Sequence, residues 1–219
     1  GDIGKVSSGD WEESDVAIVQ GYVHEDSPNT PHLLLRKRVI DKQKEIGKRT
    51  IIIDSNLFLY IDKNNPLKYL RYSLDGVFPT TGNYFSNNPE PNRWKEIFQK
   101  TVITLKPWKH TGNSILICLQ RNGGWSMKGR DNQEWAREII TKIRQVSDRP
   151  IIVRGHPGDR RAGKYLMPSD KRYNLHGLPN VHISDHKNRT LQQDLQNAWC
   201  TVVYNSSPAV ASAIEGVPI

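Results

Sequence analysis

The sequence predicts an α/β fold made of two Rossmann-like halves, residues 1–110 and 111–219, that meet near residues 105–113. Short apolar runs alternate with stretches of helical period along most of the chain. The connections between successive runs are long enough to cross over between parallel strands. The composition agrees, because 36% of the 219 residues are hydrophobic and 25% are charged, as in a protein that buries a core.

The first half opens with one β-α-β unit. The stretch "DVAIVQGY" (15–22) predicts a strand, and "TIIIDS" (50–55) predicts a second, buried one. Between them we expect a helix that starts with Thr30 as its cap and Pro31 in its first turn, and that stops at Gly47. From residue 64 the chain is rich in Asn, Pro and aromatic residues, which predicts an ordered loop up to a short helix over residues 93–100.

The second half alternates more regularly. Asp131 and Glu134 have capping-box spacing at the start of its first helix. The predicted strands span residues 114–120, 150–155, 181–184 and 200–205, and the predicted helices span residues 131–147, 190–199 and 206–216. The last residues, "GVPI", look like the start of another buried strand, so we expect the C-terminal half to be incomplete and the chain to be a fragment.

Composition and charge narrow the possible classes. Cys118 and Cys200 lie in separate apolar runs, which indicates reduced thiols and gives no support to a disulfide or zinc framework. No apolar run approaches the roughly 18 residues of a membrane helix, so we expect no membrane-spanning segment, and the reduced thiols indicate a cytoplasmic protein. The net charge is +8, and residues 111–219 hold 15 Lys and Arg against 9 Asp and Glu. This half therefore either binds an anion or has a basic surface that only serves solubility.

Polar or basic residues follow each predicted strand of the second half. In an open parallel sheet, ligands bind at the carboxyl ends of the strands. The four loops there begin with Gln120-Arg121-Asn122-Gly123-Gly124, Arg154-Gly155-His156-Pro157-Gly158, Ser184-Asp185 and Asn205-Ser206-Ser207. We expect these loops to lie together and to form an anion site.

Two of these loops carry recognisable chemistry. In "VRGHPGDRR" (153–161), Gly155 and Gly158 allow close approach of a ligand, and His156 can offer a hydrogen bond or a positive charge to a phosphate. A turn histidine that only caps its own loop is the alternative. In "NSSPAVASAIEG" (205–216), Asn205 or Ser206 can cap the helix, but two hydroxyls beside free N–H groups also suit a phosphate.

A His-Pro motif after one strand and a Ser-Ser pair that opens a helix two strands later resemble the C-terminal half of GT-B glycosyltransferases. The resemblance covers residues 113–219, including "AIEGVPI" at 213–219, and is nearest to bacterial sialyltransferases, capsule Kdo transferases and CDP-glycerol glycerophosphotransferases. With "QRNGGWSM" and "RPIIVRGHPGD", the whole chain is also similar to glycosyltransferase-like proteins of marine tailed bacteriophages. The first half would then be the acceptor side and the second half the nucleotide-donor side.

The resemblance implies a set of donor-binding residues. His156, Ser206 and Ser207 would bind the donor phosphate, and Glu215 would meet a ribose or sugar hydroxyl unless it is only a solvated charge at the helix end. Gln120, Arg121 and Gly123 would form the first loop over the cleft. With them, the donor site is expected to contain Arg154, Gly155 and Asn205.

The implied reaction is metal-independent transfer of a sugar from a nucleotide donor to a hydroxyl acceptor, in the host cytoplasm if the chain is encoded by a phage. The acceptor would be a glycan or a hydroxymethylated DNA base, the latter a DNA modification. No Asp-x-Asp pair for a metal occurs, so Arg154, His156 and the helix dipole would neutralise the leaving phosphate; no cofactor is expected.

The general base has several candidates. Asp54 ends the strand "TIIID", and His24 is another possibility, although a structural cap is the commoner role for each such residue. Asp75 belongs to "LDG" (74–76), a departure from the Asp/Glu-Asp/Glu-Gly element of sialyltransferases. That departure argues against sialic acid as the sugar.

Two other functions compete with transfer. The chain could be a non-catalytic module of degenerate GT-B fold that binds a nucleotide or a nucleic acid. It could instead be a sugar-nucleotide epimerase, which shares the fold. A basic helix face, "RKRVIDKQK" (36–44), is compatible with nucleic-acid binding or with simple solvation.

Overall fold

Two separate β-sheets organise the chain, one in each of two units, Gly1–Lys95 and Glu96–Ile219. The computed structural model describes residues 11–23, 29–58, 70–77, 90–101, 103–121, 125–159, 162, 166 and 175–219. Within these residues, none of the helices is long and apolar enough to cross a membrane.

The first unit contains a three-stranded sheet with the order β1-β2-β3. Its elements are β1 (Val16–Gln20), α1 (Pro31–Glu45), β2 (Arg49–Asn56) and β3 (Leu70–Leu74), and α2 (Pro91–Lys100) spans the boundary between the units. β1 and β2 pair in parallel, with Ile18 opposite Ile51, so the predicted β-α-β unit is confirmed. β3 runs antiparallel to β2.

Strand β3 lies where the sequence predicts a loop. Tyr72 pairs with Ile53 of β2, and the hydroxyl of buried Ser73 donates a hydrogen bond to the carbonyl of Gly76 at 2.5 Å. The prediction of a loop over residues 70–74 is wrong, because this stretch forms a strand by pairing with β2. Local composition carries no signal of such a pairing.

Helix α1 begins and ends close to the predicted residues, but without the predicted cap. Pro31 is its first residue, and Gly47 follows its end with φ of 69°. The predicted cap by Thr30 is wrong, because its hydroxyl makes no capping hydrogen bond. Its carbonyl instead accepts from the N–H groups of Leu33 and Leu34 at 3.0 and 2.9 Å. A helix that starts at proline already has a fixed φ and one fewer free N–H group.

The second unit contains a four-stranded sheet with the order β6-β5-β4-β7, in which all neighbouring strands are parallel. This confirms the predicted parallel α/β organisation of this half. Its strands are β4 (Ser114–Cys118), β5 (Ile151–Arg154), β6 (Val181–Ser184) and β7 (Ala198–Val203). Its helices are α3 (Asn132–Arg144), α4 (Leu191–Asn197) and α5 (Pro208–Ile214), with 3₁₀ turns at Trp125–Met127 and Leu175–Gly177.

Strand β4 lies in the interior of this sheet, and all five of its side chains are buried. Ile115 and Ile117 belong to one apolar cluster with Trp135 and Ile140 of α3. A parallel strand that is covered on both faces is apolar throughout, which explains the continuous run "SILIC". Burying each large side chain contributes about 1.5–3 kcal/mol, so this cluster anchors the loops that follow β4.

Side-chain caps define the starts of α3 and α4. The carboxylate of Asp131 accepts from the N–H groups of Gln133 and Glu134 at 2.7 and 3.2 Å, which confirms the predicted cap. Thr190 and Gln193 form a capping box at the start of α4. Helix α4 ends at Asn197, earlier than predicted, because Ala198 already pairs with Ser114 as the first residue of β7.

The segment before β4 packs tightly against the end of α5. The N–H of Lys106 donates to the carbonyl of Ile214, and the N–H of Lys109 donates to that of Gly216. Gly216 has φ of 69°, and a β-carbon built on it would lie 2.1 Å from the carbonyl oxygen of Pro107. A side chain at position 216 would therefore meet both backbone strain and a clash.

We expect Gly216→Ala to lower the free energy of unfolding by more than about 2 kcal/mol, since left-handed backbone costs about 1 kcal/mol and overpacking adds about 1–3 kcal/mol. Gly129→Ala is the matched control, because Gly129 has φ of 75° but no heavy atom within 4 Å of its built β-carbon. It should lose about 1 kcal/mol. Equilibrium denaturation measures both variants, and equal losses would contradict this packing account.

Candidate functional site

The carboxyl ends of β4, β5, β6 and β7 lie along one edge of the second sheet, because all neighbouring strands are parallel. We call it the carboxyl edge. From β4 the chain builds β5 and β6 on one side and then places β7 on the other, so the order switches between β4 and β7. In open α/β sheets, ligands usually bind beside the carboxyl ends of the strands at such a switch point.

A polar network joins the loops that follow β4 and β7. The side-chain oxygen of Gln120 accepts from the N–H of Asn205 at 3.2 Å, and its amide nitrogen donates to Ser126 Oγ at 2.5 Å. The amide nitrogen of Asn205 donates to the carbonyl of Ser126 at 3.0 Å. Gln120 is only 6% exposed. The network therefore holds the two loops together at the switch point.

Two side-chain oxygens beside this network have no hydrogen-bond partner within the described part of the chain. They are Asn205 Oδ1 and Ser206 Oγ, and both atoms are buried. The predicted helix cap by Asn205 or Ser206 is wrong, because Ser207 is the residue at the cap position and its exposed side chain makes no capping bond either. A buried polar atom without a partner costs about 1–3 kcal/mol, which a ligand with matching groups would recover.

His156 follows β5 at the same edge and is half-buried. Its Nδ1 accepts a hydrogen bond from the N–H of Gly158 at 2.9 Å. Burial is the main cause that lowers the pKa of His156 from its ordinary value, and the charges of Arg121 and His186 lower it further while Asp159 raises it. The neutral ring with Nδ1 as acceptor carries its proton on Nε2. Nε2 is therefore a hydrogen-bond donor available to an anion.

The other charged groups near His156 come from neighbouring loops. Arg121 is exposed after β4, and His186 is half-buried after β6. Because β4, β5 and β6 are parallel neighbours in the sheet, the loops that follow them lie side by side at the carboxyl edge. Gly123, which the sequence places in the site, lies outside the described residues, as do the basic residues Arg160 and Arg161.

Arg154 is held inside the protein. Its guanidinium Nη1 contacts Asp194 Oδ2 at 2.7 Å and Ser184 Oγ at 3.2 Å, and the two ion-pair side chains are 8% and 1% exposed. Asp194 also accepts from Arg189 Nε at 2.5 Å and from Ser184 Oγ at 2.6 Å. The charge of Arg154 is thus offset by a buried carboxylate, and this network ties the ends of β5 and β6 to α4.

The two glycines of the His-Pro loop act at different places. A β-carbon built on buried Gly155 would lie 2.6 Å from Leu166 Cδ1 and 3.2 Å from Ala162 Cβ, so this glycine provides room for core packing. A β-carbon on Gly158 would lie 3.1 Å from the His156 ring. Gly158 therefore allows the turn to fold back onto the imidazole and to hold its orientation.

Glu215 lies at the other end of α5 from the Ser-Ser pair. It follows Ile214, the last residue of the helix, and its carboxylate pairs with Lys106 Nζ at 2.5 Å. A seven-residue helix is about 10 Å long, so Glu215 is separated from Ser207 by about that distance. The structure does not bring Glu215 to the polar network at the switch point.

The two candidate bases of the first unit lie at opposite ends of β2. Asp54 is near its carboxyl end and pairs with Arg71 at 2.7 Å. Asp75 is beside Thr50 near its amino end, accepts from the N–H of Thr50 at 2.8 Å, and pairs with Arg49. Four residues of strand span about 13 Å, so the two carboxylates cannot serve one reacting atom. The third candidate, His24, lies outside the described residues.

Both cysteines are free thiols. Burial raises the pKa of Cys118 to about 12 and also raises the pKa of Cys200. Neither thiol is therefore a nucleophile at neutral pH. Among the residues that the structure describes, no group of three or more His, Cys, Asp or Glu side chains is arranged to hold a metal ion.

Comparison with protein-family models and with curated protein sequences finds no match for this chain.

Sequence reasoning missed two residues that shape the site. Ser126 holds the amides of Gln120 and Asn205, and Asp194 accepts from Arg154, Ser184 and Arg189. Ser126 lies within the stretch "QRNGGWSM" but is not itself a residue to which the resemblance gives a role, and Asp194 is a single polar residue of a helix with no motif around it. Only its contacts with distant segments mark it as part of the site.

We expect the stability of the protein to fall as the pH drops below about 6.5, with a contribution from His156. Its pKa is lower in the folded state, so the unfolded chain binds a proton first and unfolding becomes easier until the folded protein is also protonated. Denaturation at pH 7.5, 6.5 and 5.5 should show a smaller loss for His156→Gln than for wild type. Thr201→Val, a change at a buried group that does not titrate, should keep the wild-type slope. If the free energy of unfolding of His156→Gln falls with pH as steeply as that of wild type, His156 does not contribute to this pH dependence.

Proposed function

We propose that the chain is a metal-independent glycosyltransferase of GT-B type. It transfers a sugar from a nucleotide-activated donor to a hydroxyl acceptor, and the second unit holds the donor at its carboxyl edge. The proposal is carried by one observation. The switch point between β4 and β7 has two buried, unsatisfied oxygens among the described residues, and in the neighbouring β5 loop His156 accepts a hydrogen bond at Nδ1, which makes Nε2–H the donor of its neutral ring.

The chemistry of these groups suits a phosphate ester. The Nε2–H of His156 and the hydroxyl of Ser206 both donate to phosphate oxygens, and the exposed guanidinium of Arg121 adds a positive charge nearby. Ser207, exposed at the start of α5, adds a second hydroxyl. Arg154 contributes through the buried network that positions the loops after β5 and β6. The resemblance of the His-Pro and Ser-Ser motifs to GT-B donor sites supports the same assignment.

The reaction needs a base on the acceptor side and a neutralised leaving group. A carboxylate removes the proton of the acceptor hydroxyl as its oxygen forms a bond to the anomeric carbon. The bond between that carbon and the donor phosphate breaks, and its electron pair stays on the phosphate oxygen. His156 and Ser206 stabilise this charge. Of the two candidate carboxylates in the first unit, Asp54 lies near the carboxyl end of β2, whereas Asp75 lies near its amino end and pairs with Arg49, so Asp54 is the candidate base to test first by mutation.

A specific observation favours a second candidate function. Both carboxylates considered as bases are already held in ion pairs, Asp54 with Arg71 and Asp75 with Arg49. If neither carboxylate acts as the base and the described residues supply no other, the protein would bind the nucleotide sugar and not transfer it. A turnover assay with an acceptor separates the two functions. A binding module transfers no sugar to a glycan or to hydroxymethylated DNA, whereas a glycosyltransferase transfers it to one of them.

We expect at least one CDP-, CMP-, UDP- or GDP-linked sugar to raise the melting temperature of the protein. At a concentration of 100 times Kd, a ligand adds about 2.7 kcal/mol to the free energy of unfolding, which is a shift of several degrees. His156→Ala should bind about tenfold more weakly, because it loses a hydrogen bond to a charged group. His182→Ala is the control and should bind like wild type. If no nucleotide sugar shifts the wild-type melting temperature, the donor-site proposal fails.

The Ser206→Ala variant separates binding from helix capping. Ser206 Oγ has no partner in the described structure, so its removal should leave the free energy of unfolding unchanged or slightly higher while weakening nucleotide-sugar binding about five- to tenfold. Thr201→Val removes another buried hydroxyl without a described partner, in the middle of β7, and should leave binding unchanged. A loss of about 1 kcal/mol in Ser206→Ala with normal binding would contradict the assignment of Ser206 to the ligand site.

A further inference from the structure

The amide of Asn205 has an orientation that its neighbours dictate. The backbone carbonyl of Ser126 can only accept a hydrogen bond, and the side chain of Asn205 contacts it at 3.0 Å. The atom of Asn205 that faces this carbonyl must therefore be the nitrogen Nδ2. Oδ1 consequently points away from Ser126, and it is buried without a partner among the described residues.

The amide of Gln120 is fixed in the same way. The backbone N–H of Asn205 can only donate, so the atom of Gln120 that lies 3.2 Å from it must be the oxygen Oε1. Nε2 then donates to the hydroxyl oxygen of Ser126. The backbone carbonyl of Gln120 accepts from the side chain of Asn132, which belongs to α3. These contacts leave the network one consistent orientation, with Asn205 Oδ1 as its unsatisfied acceptor.

An unsatisfied acceptor selects for a particular chemistry. The oxygens of an ionised phosphate accept hydrogen bonds but do not donate them, so phosphate cannot satisfy Asn205 Oδ1. A hydroxyl or an amino group can. Ser206 Oγ, on the next residue, can donate to a phosphate oxygen. The pair therefore suits a ligand that carries a hydrogen-bond donor close to its phosphate.

We propose that Asn205 Oδ1 accepts a hydrogen bond from a hydroxyl or amino group of the nucleotide sugar and so determines specificity at the donor site. The site then favours a nucleotide over inorganic pyrophosphate of similar charge. Gln120 is a positioning residue, because it touches the backbone of Asn205 and the hydroxyl of Ser126 and acts through Asn205. This inference rests on the proposed donor site at the carboxyl edge.

Calorimetric titration of the whole chain with a matched series of probes tests it. The series is pyrophosphate, UDP, CDP, 2′-deoxy-UDP, 3′-deoxy-UDP and UDP-glucose. Comparing the affinity for UDP with that for its two deoxy forms detects a contact with a ribose hydroxyl. Comparing CDP with UDP detects a contact with the amino group of the base, and comparing UDP-glucose with UDP detects a contact with a sugar hydroxyl. In wild type, the presence of one of these hydroxyl or amino groups should strengthen binding about tenfold. That factor should disappear in Asn205→Ala and stay in Thr201→Val.

Variants of Gln120 test the positioning role. Gln120→Glu keeps an oxygen for the N–H of Asn205, and the hydroxyl of Ser126 can turn to donate to the new carboxylate. It should weaken all the anionic probes alike and keep the tenfold discrimination. Gln120→Ala should lose the discrimination. A merely structural Gln120 would change stability in both variants and leave the ratio between probes unaltered.

The outcomes separate the two proposals. If neither these probes nor any of the CDP-, CMP-, UDP- or GDP-linked sugars bind wild type, the proposed function fails. If nucleotides bind wild type but pyrophosphate binds equally well, or if the discrimination persists in Asn205→Ala, the role of Asn205 is refuted while the donor site stands. If Asn205→Ala does not fold, the probe series on wild type and on Gln120→Ala still tests the role of Asn205. Equal binding of all probes to wild type would contradict a specific hydrogen-bond acceptor at this site.

Discussion

Strand β4 is the constraint on which the site depends. It pairs in parallel with β5 on one side and with β7 on the other, and its five side chains are all buried. Because it is held on both edges and both faces, the residues that follow it have little freedom. Gln120 therefore emerges at a fixed point between the loops of β5 and β7, and the switch in strand order falls beside it.

The side chains at this point divide into two groups with different roles. Arg154, Ser184 and Asp194 satisfy one another inside the protein and fix the ends of β5, β6 and α4. Asn205 and Ser206 keep oxygens without partners in the described structure, and stability is lost for each one. Proteins retain such local costs chiefly at sites of function. The buried ion pair between Arg154 and Asp194 therefore fixes the loops of the carboxyl edge, and the oxygens of Asn205 and Ser206 are the groups there that a ligand would satisfy.

The features of the fold that depend on local periodicity and on capping could be predicted from the sequence. The apolar runs predicted β1, β2 and the four strands of the second sheet, and the cap at Asp131 followed from its spacing to Glu134. The polar loops were predicted to share one edge, since parallel strands place their carboxyl ends together. These predictions needed only periodicity, capping chemistry and the handed connections of α/β folds.

What could not be predicted depends on contacts between distant residues. Arg154 pairs with Asp194 forty positions later, so its motif suggested a ligand contact where the structure has a buried ion pair. Asp75 looked like a possible base until β3 proved antiparallel, which brings it to the amino end of β2. Neither pairing leaves a trace in local composition, because the partner lies elsewhere in the chain.

The most direct test of the carboxyl edge as the donor site is an NMR titration of ¹⁵N-labelled protein with the nucleotide sugar that stabilises it best. The account predicts saturable shifts of the side-chain amides of Asn205 and Gln120 and of the His156 ring nitrogens. Residues at the amino ends of the same strands, such as Ser114 and Ile151, should stay unchanged. Shifts concentrated at those amino ends, with Asn205 and His156 unaffected, would contradict it.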